Sequence, residues 1–459
     1  MIEIRYLIEE VILFQTSGPA SQEFIIKEEG IFFSVEFKNS IYREEKFDFA
    51  HPALNESDFE FLEAVISEAD ASSGFEDLHN FLDRCKIAPH HVFKITHYFI
   101  NEHYLQQQPQ RDSHGRVAAA SVDPAVKKFL AYPVVDIIND MLLKQLNCDA
   151  KKNRTLFLTS DFDAMSFRSA FSFPGFLKRQ LKHLSALQLA TIIKEGWYYL
   201  FSEQSIASNP LLTDEMFYPD ISEQEIKMPG RFLIKRIAFF LVNKSHSTFD
   251  FKNHFQSKAI QEFIGRLKKL KVIFGIHPSY HTSGKKDEIA RELSIFEREF
   301  KETTSYCRFH FLKGNFPHDL PALSELGITH DFSFYFVEEN LFRSGISKPF
   351  KMWNYEKREP YKVTLTPITL MEDTLNQYLH LDYNEALLAS RKKISYSLLL
   401  GRSTVLLWHN TYFYQQFYKN NYQSKLFYRL KAFILQLITK LELTERKKKA
   451  ALTALQPEN

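Results

Sequence analysis

Seven short apolar runs recur from residue 151 onward, and most of them end in a polar residue. They are TLFLTSDFD (155–163), IAFFLVNK (237–244), KVIFGIHPS (271–279), YCRFHFL (306–312), THDFSFYF (329–336), KVTLTPITL (362–370) and TVLLWHN (404–410). Helical patterns, for example over 286–300 and 319–326, separate several of them. Strand–helix alternation predicts a mainly parallel sheet or a (β/α) barrel. In such folds chemistry gathers at the carboxyl ends of the strands. Asp161, Asp163, His277, Arg308, His310 and His409 all fall at or near those ends.

Residues 1–150 mix strand-like and helical segments, which predicts a smaller N-terminal α/β domain. GIFFSVEF (30–37) alternates like a strand, and 122–146 reads as a helix broken near Pro133. The turn Asp112-Ser113-His114-Gly115-Arg116 is its most specific feature, expected to tie this domain to the barrel. Residues 174–204 place Leu177, Leu181, Leu184, Leu187, Ile192 and Trp197 roughly on one side, as in a helix packed against the barrel. The C-terminal segment 421–459 reads as an amphipathic helix with a basic tail. A solvated helix end accounts for those charges, and peripheral membrane contact is the other reading.

A net charge of +2 argues against nucleic acid as a partner. Glycine, at 14 residues, is about half as frequent as usual. No G-x-G-x-x-G or G-x-x-x-x-G-K-[ST] is present, so a nucleotide-cradling loop is not expected. Three scattered cysteines, no signal-like start and no membrane-length apolar run predict a reduced, cytoplasmic protein.

Asp161 and Asp163 lie two apart at a strand end, so they project together. Two such carboxylates suit a cation, with one as ligand and the other as a base on water. His277 and His281 have a spacing that can share a metal ion.

In order, Asp161-x-Asp163, His277-Pro-Ser-Tyr-His281, Arg308-x-His310 and Leu407-Trp408-His409-Asn410 resemble the polysaccharide deacetylases. That family is carbohydrate esterase family 4, with the NodB-homology fold, and the resemblance spans about residues 151–420. The chain looks most like a branch with an extra N-terminal α/β domain. That branch carries D-x-H-G-R (here Asp112 to Arg116), H-P-S-Y, R-x-H, G-I-x-x-D-x-S (Gly327, Ile328, Asp331, Ser333), F-R-x-G (Phe342, Arg343, Gly345) and M-x-D-x-T-L (Met371, Asp373, Thr374, Leu375).

The resemblance implies a distorted (β/α) barrel of about seven parallel strands. It implies a metal-dependent hydrolase acting on a non-peptide C–N bond, removing acetyl from an N-acetylated amino sugar. The substrate is a glycan, a sugar precursor or a lipid-linked glycan. By the same resemblance Asp161 is the general base, oriented by Arg308. Asp163 and His277 are metal ligands, and His409 is the acid whose tautomer Asp373 fixes. The Phe311 N–H holds the oxyanion, while Leu407 and Trp408 wall the acetyl pocket. Tyr280 is expected to line the substrate site. Arg343 either binds an acidic group of the sugar or pairs with Asp331. The metal is expected to be zinc, with cobalt, nickel, manganese and iron binding similar donors.

Pro278, His310 and Phe311 depart from the family's usual residues, which leaves the third ligand between His310 and His281. His281 has the H-x-x-x-H spacing. His310 lies two residues from Arg308 and so shares its face, and it is the one expected. Two rival readings use the same barrel: a carbohydrate-binding protein with a degenerate site, and a hydrolase of a small non-sugar amide.

Overall fold

The computed structural model describes residues 2–8, 24–29, 32–37, 40–70, 91–105, 108–146, 154–218, 232–243, 247–400, 402–414 and 421–454, the side chains of the last helix as far as 444. Strands β1 (Phe24–Glu29), β2 (Phe32–Phe37) and β3 (Ser40–Glu45) form an antiparallel sheet. Gly30 and Ile31, in the expected strand 30–37, lie outside the described residues.

The main sheet follows. Its strands are β4 (Arg154–Phe162), β5 (Phe232–Phe240), β6 (Ile273–Ile276), β7 (Tyr306–Cys307) and β8 (His330–Asp331). A small hairpin of β9 (Trp353–Asn354) and β10 (Glu359–Pro360) precedes β11 (Thr364–Leu365), β12 (Leu370–Met371) and β13 (Ser403–His409). Eight strands run parallel in the order β11-β8-β7-β6-β5-β4-β13-β12. The fold is therefore α/β with a parallel sheet.

Chain length forces this sheet to curl. Laid flat, eight strands at about 4.8 Å spacing would hold their edges roughly 34 Å apart. The edge strands contain Leu365 and Leu370, whose five-residue separation reaches at most about 18 Å. The seven expected runs yield eight strands because 362–370 supplies both edges. Curling divides the apolar residues by the two-residue period of a strand. Phe157, Ile237, Phe239, Phe332, Val405 and Leu407 form an inner cluster. Leu156, Leu158, Phe240, Leu406 and Trp408 face outward into the larger core under the helices. Gly275 lets the inner wall close, since a Cβ there would stand 2.4 Å from Cδ1 of Phe239.

Helices cover the outside where their sequence offers an apolar stripe. Lys258–Lys269 buries Ala259, Ile260, Phe263, Ile264 and Leu267, and the Ser257 hydroxyl caps it by accepting from the Ile260 N–H. Gln423–Ala454 buries Leu426, Leu430, Ile434 and Leu441. Burying each leucine contributes about 1.5–3 kcal/mol. The side chains of its basic cluster lie outside the described residues.

Pro133 does interrupt the helix expected over 122–146, standing just before Val134–Gln145. The expectation for 174–204 needs correction. The segment is two helices, Phe173–Ser185 and Leu189–Phe201, turning at Leu187 (φ 55°), and Leu177, Leu181, Leu184 and Trp197 are exposed.

The N-terminal residues meet the residues of the curled-sheet half of the chain through buried polar ties. Arg343 forms a two-pronged pair with Glu102 (2.6 and 2.9 Å). Asp136 accepts from the Ser347 N–H (2.7 Å) and pairs with Arg402 (3.2 Å). Described residues on both sides contribute to one apolar core. The expected boundary near 150 falls in 147–153, outside the described residues.

Candidate metal and hydrolytic site

Strand register assembles the site at the carboxyl end of the sheet. Asp161 on β4 is paired across the ladder with His409 on β13 and with Phe239 on β5. Neighbouring strands share faces, so the carboxylate and the imidazole open into the same interior. His409 Nε2 lies 4.0 Å from Asp161 Oδ2 and 3.8 Å from Asp163 Oδ2. Beyond the strand ends the loops continue the ladder. The His277 N–H donates to Phe240 O, the Arg308 N–H to Ile276 O and the His310 N–H to Pro278 O, at 3.0–3.1 Å.

Arg308 is fully buried, yet its guanidinium is spread over three acceptors. Nη1 donates to Asp161 Oδ1 (2.7 Å), Nη2 to the Thr159 hydroxyl (2.9 Å) and Nε to Phe332 O (3.0 Å). Its cationic carbon stacks 4.4 Å above the Phe239 ring. Held this way through Oδ1, the carboxylate leaves its other oxygen, Oδ2, turned into the site.

The two buried histidines have tautomers set by their partners. His277 Nδ1 lies 2.5 Å from Arg308 O, and His310 Nδ1 lies 2.8 Å from Asp250 Oδ1. A carbonyl and a carboxylate only accept, so each Nδ1 carries a hydrogen and each ring turns its Nε2 inward. Those Nε2 atoms converge on Asp163 Oδ1, at 3.2 Å from His277 and 3.6 Å from His310. His277 Nε2 and Asp163 Oδ1 are buried and have no aligned hydrogen bond.

Two imidazole nitrogens and a carboxylate oxygen converging at these distances make a donor set that suits a cation once any Nε2 proton has been given up. Tetrahedral zinc with ligands at 2.0–2.1 Å holds its ligand atoms about 3.3 Å apart. The observed spacings bracket that value, so the residues present fit a divalent ion. Without one, burial opposes charging His310, but Asp163 and Asp250 outweigh it and lift its pKa to about 9. Burial likewise opposes ionising Asp163, and the neighbouring imidazoles hold its carboxyl well below the usual range.

His281 is exposed, stands beside the Tyr280 ring and is not in this cluster. The HPSY motif serves the site through its backbone. The Ser279 N–H and hydroxyl both donate to buried Glu292, and the Tyr280 N–H donates to Asp250. Tyr280 is largely buried, with its hydroxyl 2.9 Å from His114 Nδ1, and does not line the cleft.

Three further expectations change. The carboxylate beside His409 is Glu372, whose Oε1 lies 2.5 Å from Nδ1, while Asp373 is at 3.9 Å and accepts from the Tyr412 hydroxyl. Burial raises the Glu372 pKa to about 7, and the Glu372 carboxylate, overcoming burial, carries His409 well above its usual value. Leu407 lines the cleft, but Trp408, one residue on, faces outward and donates to Gln423 O (3.1 Å). Arg343 meets neither sugar nor Asp331: it is consumed by Glu102, and Asp331 accepts from Ser333.

A cleft of about 290 Å³ opens over the cluster. Leu312, Val337, Met371 and Leu407 make an apolar nook, and Phe249, Phe311 and Tyr378 are aromatic walls. Phe311 adopts φ 59° there. Its carbonyl accepts from Arg116 Nη1 (3.0 Å), and its N–H has no partner among the described residues. Arg116 was expected only to tie the segments together, but it also lines the cleft.

Asp250 and Glu372 escaped notice in the sequence. Asp250 stands in the loop after β5, at the carboxyl end where polar residues matter, but no spacing marks it. Glu372 directly precedes the residue chosen in its place.

No family model matches the chain, and no curated protein does. A crystal structure described as a "putative polysaccharide deacetylase from Mycobacterium smegmatis" is similar over 68% of this chain and 94% of that one, at 14% identity and a TM-score of 0.34. Likeness of that order carries no inference about chemistry, which rests on the site's own geometry. Among the described residues, no helix is long and apolar enough to cross a membrane.

Proposed function

We propose that the chain is a metal-dependent hydrolase that removes acetyl groups from an N-acetylated amino sugar in a glycan or glycan precursor. The observation that carries this reading is the convergence of His277 Nε2 and His310 Nε2 on Asp163, beside the Arg308-paired Asp161 and facing His409 in one cleft. Asp163, His277 and His310 would hold the ion, and zinc suits that donor set. When bound, a divalent cation supplies Lewis acidity toward an amide oxygen and a water molecule.

The chain's own groups divide the remaining work. Asp161 Oδ2, left free by Arg308, accepts a proton from the attacking water. The Phe311 N–H is offered to the developing oxyanion, while Arg116 anchors the same residue through its carbonyl, in the next peptide. His409, with Nδ1 on Glu372, presents Nε2–H to the departing nitrogen. The apolar nook accepts the methyl of an acetyl group, and Phe249, Phe311 and Tyr378 offer ring faces to a sugar. Zinc-loaded protein should release acetate from N-acetylated amino-sugar oligomers, and chelation should stop it. Acetate release from small N-acetyl amides alone would favour the non-sugar amidase. No release from either class, with metal bound, would overturn the hydrolase.

A further inference from the structure

The helical hairpin Phe173–Phe201 is built inside out. Each of its helices buries a single residue, Phe176 in one and Glu195 in the other. Glu195 is wholly buried and takes a two-pronged contact from Arg179 (2.8 and 2.6 Å), with His183 at 3.2 Å. Polar groups thus fill the seam between the helices, while the long apolar side chains point away. Phe173, Leu177, Leu181 and Leu184 follow one another at steps of four, four and three residues. Leu189, Ile193, Trp197 and Leu200 repeat those steps on the second helix. That spacing makes one continuous stripe per helix. The exposures are large: 65% for Leu181, 74% for Ile193 and 84% for Leu187 at the turn. Soluble proteins seldom leave so much contiguous apolar surface without a partner.

Charge identifies the partner. Lys178, Lys182 and Lys194 are exposed, each one residue beyond a stripe position, so they flank the apolar face. Between 164 and 202 the only acidic residue is Glu195, which is buried, so no exposed acid offsets them. Protein–protein interfaces are depleted in lysine. Leucine, isoleucine and tryptophan bordered by lysines suit the headgroup boundary of a bilayer, where long basic side chains reach the phosphates. A 13-residue helix spans about 20 Å, too short to cross the roughly 30 Å hydrocarbon core, so it would lie in the interface.

We propose that this hairpin docks the protein on the surface of an anionic lipid bilayer. The hairpin leaves the sheet just after Asp163, and its Tyr198 and Tyr199 pack against the same small apolar cluster as Phe251, which also lines the cleft. Docking therefore brings the cleft toward the lipid surface, and it holds whether or not that cleft hydrolyses an amide.

The test is co-sedimentation of the full chain with phosphatidylcholine vesicles, either pure or containing about one-third phosphatidylglycerol. Wild type should pellet with the anionic vesicles and be weakened by salt. Removing three lysines together (K178Q, K182Q, K194Q) should weaken binding on the order of a hundredfold, at about fivefold per lysine. The pair L181Q and I193Q should abolish binding with an unchanged thermal melt, because neither side chain is packed. Wild type that ignores anionic vesicles, or an apolar pair that binds as well as wild type, would overturn the proposal. So would a wild-type dimer that the apolar pair splits while vesicles bind neither form, because the face would then belong to a second copy.

Discussion

Asp250 offers the sharpest test of the metal site, because it does not line the cleft and meets the ligand cluster through His310. Its Oδ1 accepts from His310 Nδ1 at 2.8 Å and from the Tyr280 N–H at 3.0 Å. Asp250→Asn keeps an oxygen able to accept both bonds but removes the charge that makes the imidazole a stronger donor. Outer partners of this kind are worth about 10–100-fold in metal affinity, or roughly 1.4–2.7 kcal/mol. That range overlaps the ~1.5–3 kcal/mol of a hydrogen bond to a charged group, the interaction being weakened. Zinc affinity measured by chelator competition on the purified apoprotein should fall within that range. His310→Ala should fall further, and His281→Ala should match wild type. Wild-type affinity should also rise as pH climbs toward 9, since His310 must give up the proton that Asp163 and Asp250 hold on it before it can ligate. An Asp250→Asn variant within twofold of wild type, or a loss confined to His281→Ala, would refute the assignment of His310.

Asp161→Asn should lower acetate release by about 10²–10⁴ while zinc stays bound, since Arg308 can still donate to the amide oxygen; near-normal turnover would remove Asp161 as base. Glu372→Gln should depress turnover and move the alkaline limb of the pH–rate profile to lower pH, because it removes the charge that raises His409, whereas Asp373→Asn should move that limb less; the reverse order would restore Asp373 as the partner of His409. Gly275→Ala should cost about 1–3 kcal/mol in urea unfolding, because the new methyl meets the Phe239 ring at 2.4 Å on a wall with no slack; an unchanged midpoint would mean that the ring moves aside freely.

The division between what could be read along the chain and what could not follows how far each feature depends on pairing partners. The runs 155–163 and 404–410 announced β4 and β13, and period-two alternation then sets Asp161, Leu407 and His409 facing inward. That alternation also excludes Trp408 from the cleft. The expectation that it walled the acetyl pocket came from the family motif and set strand geometry aside. The run 362–370 looked like one strand, because nothing local says that its halves pair at opposite edges of a curled sheet. His310 was reachable for a local reason, its two-residue offset from an inward Arg308. Asp250 was not, because its role depends on a loop 60 residues away in sequence folding over the same strand end. The Arg343–Glu102 pair, 241 residues apart, is hidden for the same reason.

The hairpin is the instructive failure. Its leucines have the period of a core-facing helix, and period alone reports only that an apolar face exists. The seam between the helices is taken by Arg179, partly exposed, and the buried Glu195, and the leucines lie outside it. An ion pair between helices whose leucines stay exposed is the arrangement expected if the proposed lipid docking covers that face, and such docking would set the cleft beside the bilayer surface.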